Sequence, residues 1–386
     1  RNTVQRLAQQ AQAEDLDVVY NTIVNKEQRV PDIGEFSVKP FVAGTTTIYQ
    51  AQEYHTSFWG HLGLLHLDDH LLTPDFSAYR QSALSSPYPH NGVIADLAHA
   101  QNALVGYVHP YDWPIVPGKE KSLTHTLPAD VALGKVDYLE VVGFSDHKST
   151  AEVWYRLLNL GIRLPTGAGT DAMANYASLR GPVGMNRVYL QTDGDTSAAA
   201  LKRALKEGRT IASNGPQLAL RVEGANLGDT VTLDAGRHRL HYRAAMRSIV
   251  PIEHLELIHN GKVIATHRFG KERTRADFAG EITVDSGGWI LLRAWNEGAD
   301  PLVFDLYPYA TTSPIYVVVD GQSQQSAEDA LYFTHWMDRV IQAASTRDDY
   351  NSSEEKQQTL EYLRSAREKF AAMAAQSQGG LKDAAH

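Results

Sequence analysis

Residues 136–147 read VDYLEVVGFSDH, and residues 103–113 read ALVGYVHPYDW. Each begins as a short run rich in Val, Leu and Tyr and stops at an ionisable side chain, Glu140 in one and His109 in the other. Runs of this length and composition read as strands. Around them helical and strand patterns alternate as far as about Gly215, which is the pattern of parallel βα units. Thr3 can cap a helix carrying Val4, Leu7, Ala8 and Ala11 on one face, and DLDVVYNT (15–22) follows as a buried strand. A helix is expected from Gly92 to Ala103. Another is expected from Ser149 to Leu160, opened by a capping box (Ser149, Glu152) and stopped at Gly161. RLPTGAGTD (163–171) and MNRVYLQ (185–191) supply further strands, and Ser197 to Glu207 a helix closed by Gly208.

From Leu218 to about Asp320 the helical period disappears. LALRVEG, HRLHYRAA, GEITVD, WILLRAWNE and PIYVVVD alternate apolar and polar residues, as strands with one buried face do. Asn260-Gly261, between ELIH and KVIATH, is the strongest hairpin signal in the chain. This stretch reads as a small all-β sandwich, and Asn214-Gly215-Pro216 as the hinge before it. Two helices follow, Ser326 to Ala344 and Ser353 to Ala374, with a disordered Gly-Gly tail expected after them. The expected organisation is therefore a barrel-like unit over 1–215, a β-sandwich over 216–322, and C-terminal helices and tail over 323–386.

With 386 residues the chain exceeds what one core usually supports. A formal net charge of -9 and a pI of about 6.0 argue against nucleic-acid or anionic-membrane partners, because phosphate binding wants clustered Lys and Arg. No apolar run approaches the roughly 20 residues of a membrane span. Sixteen histidines against five methionines direct attention to metal chemistry. The absence of cysteine removes disulfides, thiolate zinc sites and cysteine nucleophiles. It suits the periplasm and the cytosol equally. The chain opens on Arg1-Asn2-Thr3 without an initiator Met, so it is expected to have been cut from something longer.

The ionisable residues fall at revealing places. TTTIYQAQE ends on Glu53, ALVGYVH on His109, VDYLE on Glu140 and PTGAGTD on Asp171, while His61 opens the GHLGLLHL run. In βα barrels the strand ends form the active-site rim, so these groups could converge there. His, Glu and Asp without Cys are ligands for Zn²⁺, Mn²⁺ or Fe²⁺. Such a centre acidifies water and polarises a carbonyl or phosphoryl group. Taken singly, each residue has a structural alternative. Glu53 suits a salt bridge, His61 barrel-mouth packing, His109-Pro110 a strand-to-loop step and Asp171 a helix cap. His55, His66, His70, His99 and His125 read as structural or exposed, and His254, His259 and His267 as surface residues of the β stretch.

The segments QEYHTSFWGHLGLLHL, VGYVHPYDW, YLEVVGFSDH, AGTDAMAN and GRTIASNGP stand in the order seen in CehA/McbA metallohydrolases. The chain thereby resembles that branch of the PHP (polymerase and histidinol phosphatase) superfamily, from its N-terminus to roughly residue 225. The resemblance implies a distorted (β/α)7 barrel and a divalent metal centre. Carried over, Glu53, His61, His109 and Asp171 match the metal ligands, with Glu140 either supporting a ligand from behind or standing at the rim. Asp112, His147 and Arg180 are candidates for the substrate loops, and Tyr111 and Trp113 could shape a pocket. Two departures accompany the likeness. The family's His-x-His at the end of the first strand has no counterpart and is expected upstream of Arg1. Thr22-Ile23-Val24-Asn25 stands where many relatives have Asp-His, and Met173 where they have a second His. The centre is thus expected to hold one or two ions, Zn or Mn foremost and Fe third.

The function so implied is hydrolysis of an ester, amide or carbamate bond in a small-molecule substrate, by metal-bound hydroxide. Phosphoester hydrolysis and a non-catalytic scaffold or binding module are the alternatives. An oligomer is compatible with the sequence. The likeness alone points to a bacterial source and leaves the location open, with the periplasm or secretion slightly favoured over the cytoplasm.

Overall fold

The computed structural model describes residues 3–24, 32–74, 76–120, 122–172, 180–304, 306–323 and 325–383. Asn25 and Met173, two of the departures named above, lie outside these residues. In chain order, α1 (Val4–Ala13) and β1 (Val18–Ile23) precede β2 (Phe41–Ala43), β3 (Thr46–Thr56), β4 (Leu62–Leu65) and β5 (Phe76–Ser77). Then come α2 (Asn91–His99), β6 (Leu104–Tyr107), α3 (Leu127–Ala132) and β7 (Tyr138–Val142). The helical half closes with α4 (His147–Leu158), β8 (Thr166–Ala168), β9 (Arg187–Leu190) and α5 (Ala198–Lys206). The β-rich stretch begins with β10 (Thr210–Ser213), β11 (Gln217–Val222), β12 (Thr230–Leu233), β13 (His238–Arg247) and β14 (His254–His259). It continues with β15 (Lys262–Thr266), β16 (Arg275–Val284), β17 (Gly288–Trp295), β18 (Tyr309–Thr312) and β19 (Ile315–Val319). Helices α6 (Ala327–Ser345) and α7 (Ser353–Asp383) follow.

The fold is mixed α/β with several sheets, gathered into two compact units. One unit takes Arg1–Asp15, Tyr111–Trp113 and Tyr138–Gln325; the other takes Leu16–Pro110, Pro114–Asp137 and Ser326–His386.

In the second unit β3 pairs parallel with β1, but β4 pairs antiparallel with both β3 and β6. This corrects the expectation of parallel strands throughout. Only residues 57–61 separate β3 from β4, and a parallel return needs a crossover of about a dozen residues or more. The C-terminal helices belong to this same unit. Phe333 of α6 and Phe370 of α7 are fully buried with rings stacked 5.1 Å apart, each contributing roughly 2–3 kcal/mol of burial. Asp130 of α3 is buried and accepts from the hydroxyls of Tyr107 and, at 2.5 Å, Tyr362. Burial lifts its carboxyl to about 6 despite these bonds. Helix α7 runs on to Asp383, past the point where a disordered tail was expected.

In the first unit the sheet β12-β19-β17-β18-β10-β9, with β14 and β15, faces the three-stranded sheet β11-β13-β16 across one apolar core. The predicted hairpin is present. Asn260 and Gly261 both have positive φ, 50° and 78°, as a type I′ turn requires. Strands β9 and β10, read from sequence with the helical half, extend the sandwich sheet through β18.

Helix α1 is capped by Thr3 and α5 by Ser197, as expected. Helix α4 differs: it starts at His147, and its cap is Asp146 rather than Ser149. The Asp146 carboxylate accepts from Ser149 N at 2.8 Å and Ser149 Oγ at 2.5 Å, while its other oxygen accepts from Tyr307 at 2.9 Å. An Asp with a β-region backbone serves the orphan amides as well as a serine does, and Ser149 becomes one of its donors. Asp146→Ala removes the cap and strands Tyr307. It is expected to cost about 2 kcal/mol in urea denaturation, and a cost under about 0.5 kcal/mol would refute the capping role.

Candidate metal centre

The centre is built by register. Glu53 lies within β3, three residues before its end, and pairs with Gly63 of β4. Leu62 pairs with Tyr107 of β6, so His61 just before β4 and His109 just after β6 emerge at the same edge. Val108 N donates to His61 O at 3.3 Å and holds the two together. His109 has φ of 32°, a left-handed backbone unusual for a side-chain-bearing residue.

One oxygen, Glu53 Oε1, stands 3.0 Å from His61 Nδ1 and 3.1 Å from His109 Nε2. Burial would raise the Glu53 carboxyl, but its contacts with His109 and His61 outweigh that and hold it below the usual carboxylate range. It is therefore an anion at any neutral pH. His61 Nε2 donates to the Thr56 carbonyl at 3.1 Å, while His61 Nδ1, though buried, makes no hydrogen bond of good geometry.

Two histidines join that the sequence reading set aside. His55 sits two residues after Glu53, on the same face of β3, and its ring lies 3.5 Å from that of His61. Its Nδ1 is 2.6 Å from the Tyr79 hydroxyl. Ligand atoms of Glu53, His55 and His61 all lie within 4.8 Å of one another, close enough to hold one ion. The period-2 spacing Glu53-x-His55 was the signal available for it. His125 had no such signal. It arrives on the loop before α3 and its ring packs on Tyr107 at 4.9 Å. Burial, then the nearby His61 and His109, push it down to about 3, so it is neutral. Gly60 makes room for it. A Cβ there would lie 2.3 Å from the His125 ring, and φ of +92° already favours glycine.

The remaining candidates belong to the other unit. Asp171 has φ of 55° and is ion-paired through its carboxylate with Arg180. Arg180 also donates to the Asp171 carbonyl at 3.1 Å and lies 4.7 Å over the Phe144 ring. Glu140 is buried in β7 with its carboxylate against Gly169. Asp112 and Trp113 are exposed, whereas Tyr111 is buried and its carbonyl accepts from Asp146 N. His147, named for a substrate loop, is 3% exposed, with its ring 5.3 Å from Tyr307 and 5.5 Å from Tyr309.

No family model and no curated protein matches the chain. Among solved structures, the novel lesion-specific endonuclease PfuEndoQ from Pyrococcus furiosus is similar at 16% identity and a TM-score of 0.31. The similarity covers 53% of this chain and 51% of that one, so about half the length of each is matched. At that level it carries no argument, and the case for a metal centre rests on the geometry above.

Burial holds the His147 imidazole down at about 4, with Asp146 opposing. Unfolded, it would titrate near 6.5. The unfolded chain therefore binds the extra proton first. The contribution of His147 is complete above about pH 6.5 and is lost as the pH falls toward 4. His147→Gln is expected to lessen the loss of stability between pH 7.5 and 4.5 by about 3 kcal/mol at most, read from urea midpoints. Parallel pH slopes for parent and variant would contradict it.

Proposed function

We propose that this protein is a metal-dependent hydrolase of the PHP type, nearest in kind to the CehA/McbA enzymes. The observation that carries the reading is the single Glu53 oxygen set 3.0 Å from His61 Nδ1, a buried nitrogen with no hydrogen bond of its own. His61 Nε2 donates to the Thr56 carbonyl, and its Nδ1 and the Glu53 oxygen, 3.0 Å apart, are two donor atoms that would hold one divalent cation. A histidine ligand whose second nitrogen donates to a carbonyl is the usual arrangement at protein metal sites. His55 repeats it, leaving Nε2 for the ion when Nδ1 donates to Tyr79.

The residues present fit Zn²⁺ or Mn²⁺, with Fe²⁺ also suited to imidazole and carboxylate donors. Glu53, His55 and His61 would hold the ion, with His109 beside Glu53 as a further donor. When bound, the ion supplies Lewis acidity, lowering the pKa of water and polarising the scissile group. The chain's own part is to keep Glu53 ionised, to fix the His61 ring through Thr56, and to keep His125 neutral near the cluster. The reaction class proposed is hydrolysis of an ester, amide or carbamate in a small molecule, and the carbonyl preference rests on the family resemblance.

Metal content by mass spectrometry tests it. The purified chain is expected to retain metal, and Glu53→Gln and His109→Ala to lose it. Tyr79→Phe should weaken retention by about 10–100-fold through the loosened His55 ring. Metal retained by the Glu53→Gln protein would defeat the assignment.

A further inference from the structure

The first unit carries a groove of 780 Å³ lined by β9, β10, β11, β13 and β16, within the range of small-molecule sites. Its floor is one row of the three-stranded sheet, where Leu220 of β11, Ala244 of β13 and Phe278 of β16 are neighbours in register. This row faces the apolar core between the two sheets, as do the rows on either side. Arg221, Arg243 and Asp277 alternate with it, so their side chains project from the opposite face. The facing wall comes from the edge of the other sheet, where Tyr189 of β9 pairs with Ile211 of β10. Leu218 and Leu227 complete the apolar lining.

The floor is low because its middle residue is small. The flanking inward positions of β13 carry Tyr242 and Met246, and each has a small neighbour on β16, Gly280 and Ala276. Tyr242 leans over Gly280, where a Cβ would lie 2.8 Å from its hydroxyl. Ala244 has no such reach. Its large neighbour Phe278 is engaged elsewhere, with ring centroids 4.7 Å from His267 and 6.0 Å from Tyr242. Tyr189, Ile211 and Phe278 are consequently only half-buried, in a fold whose core is otherwise closely packed. Apolar wall left open to water is unfavourable in proportion to its area. Charge then decides the ligand class. Arg209, beside the groove, is already engaged by Glu207 at 2.9 Å and Asp229 at 3.2 Å, while Gln191 and Asn226, which also line it, are neutral amides. An ionic ligand would lose its hydration here without meeting an opposite charge. Rings on two walls, Tyr189 and Phe278, favour an aromatic body over a flexible chain. We propose that the groove between the two sheets binds a small uncharged aromatic molecule, its ring over Ala244 and between Tyr189 and Phe278. The site uses no residue of the Glu53 cluster, and it stands whether or not that cluster holds metal.

Calorimetric titration of the full chain with para-phenylbenzyl alcohol tests the assignment, with para-phenylbenzoate and octanol as comparisons. The first comparison adds a charge to the same rings, and the second keeps the hydroxyl without them. Para-phenylbenzyl alcohol is expected to bind more tightly than either. Ala244→Leu raises the floor and should weaken it by about ten-fold or more. Phe278→Leu, which keeps an apolar wall without the ring, should weaken it by about three-fold or more. Without ligand, the thermal midpoint of Ala244→Leu is expected to equal or exceed the parent's, because the new side chain covers open apolar wall. Were the row already filled, overpacking would lower that midpoint. Absence of para-phenylbenzyl alcohol binding, affinity unchanged by the substitutions, either comparison binding as tightly, or a lowered midpoint for Ala244→Leu would each overturn the proposal.

Discussion

The five residues between β3 and β4 are the constraint from which the candidate centre follows. They are too few for a crossover, so β4 returns antiparallel beside β3. The turn is held locally: Thr56 Oγ accepts from Trp59 N at 2.7 Å, and Gly60 supplies the left-handed residue. With the reversal fixed, Glu53 must fall opposite Gly63, and His61 is carried back over the Glu53 carboxylate. The β4–β6 register then brings His109 to the same oxygen. A short turn brings His61 back to Glu53, and a second strand pairing brings in His109 from farther along the chain.

The second unit supports this cluster from its far sequence end. Trp336 of α6 is fully buried and donates its indole N–H to the His125 carbonyl at 2.9 Å. Tyr332 donates to Ile115 O and Arg339 to Glu120 O, at 2.8 and 2.5 Å, on the same long loop. Asp130, receiving Tyr107 and Tyr362 together, links β6 and α7 through one buried carboxylate. A buried acid with two donors is sensitive to either loss, since an unmatched partner keeps its desolvation cost. Helices α6 and α7 therefore do structural work for a loop that reaches the candidate centre.

The two groups of ionisable residues show opposite electrostatic logic. At Glu53 one buried anion gathers imidazoles around it, and its charge is compensated within the fold. On the outer face of the three-stranded sheet Arg221 stands opposite Arg243 and Arg247 opposite Arg275, with Asp277 paired to both members of the second pair.

Much of this was legible in the sequence. The strands at 18–23, 104–107 and 138–142, the caps at Thr3 and Ser197 and the Asn260-Gly261 hairpin follow from local chemistry: apolar runs, side-chain acceptors and positive-φ residues. The sequence singles out Glu53, His61, His109 and Asp171 by their places at or near the ends of strand-like runs, and strand pairing brings the first three around one oxygen. His55 could have been found by strand periodicity, two residues from Glu53 on one face. Other features depend on partners distant in sequence. The direction of β4, the joining of β9 and β10 to the sandwich, the burial of His147 between Tyr307 and Tyr309, the arrival of His125 and the Arg221–Arg243 pair are of this kind. Sequence determines what each short segment can form, because propensity and periodicity act within a few residues. Which segments become neighbours is decided only by the tertiary fold, where strand register and burial select one pairing for the whole chain.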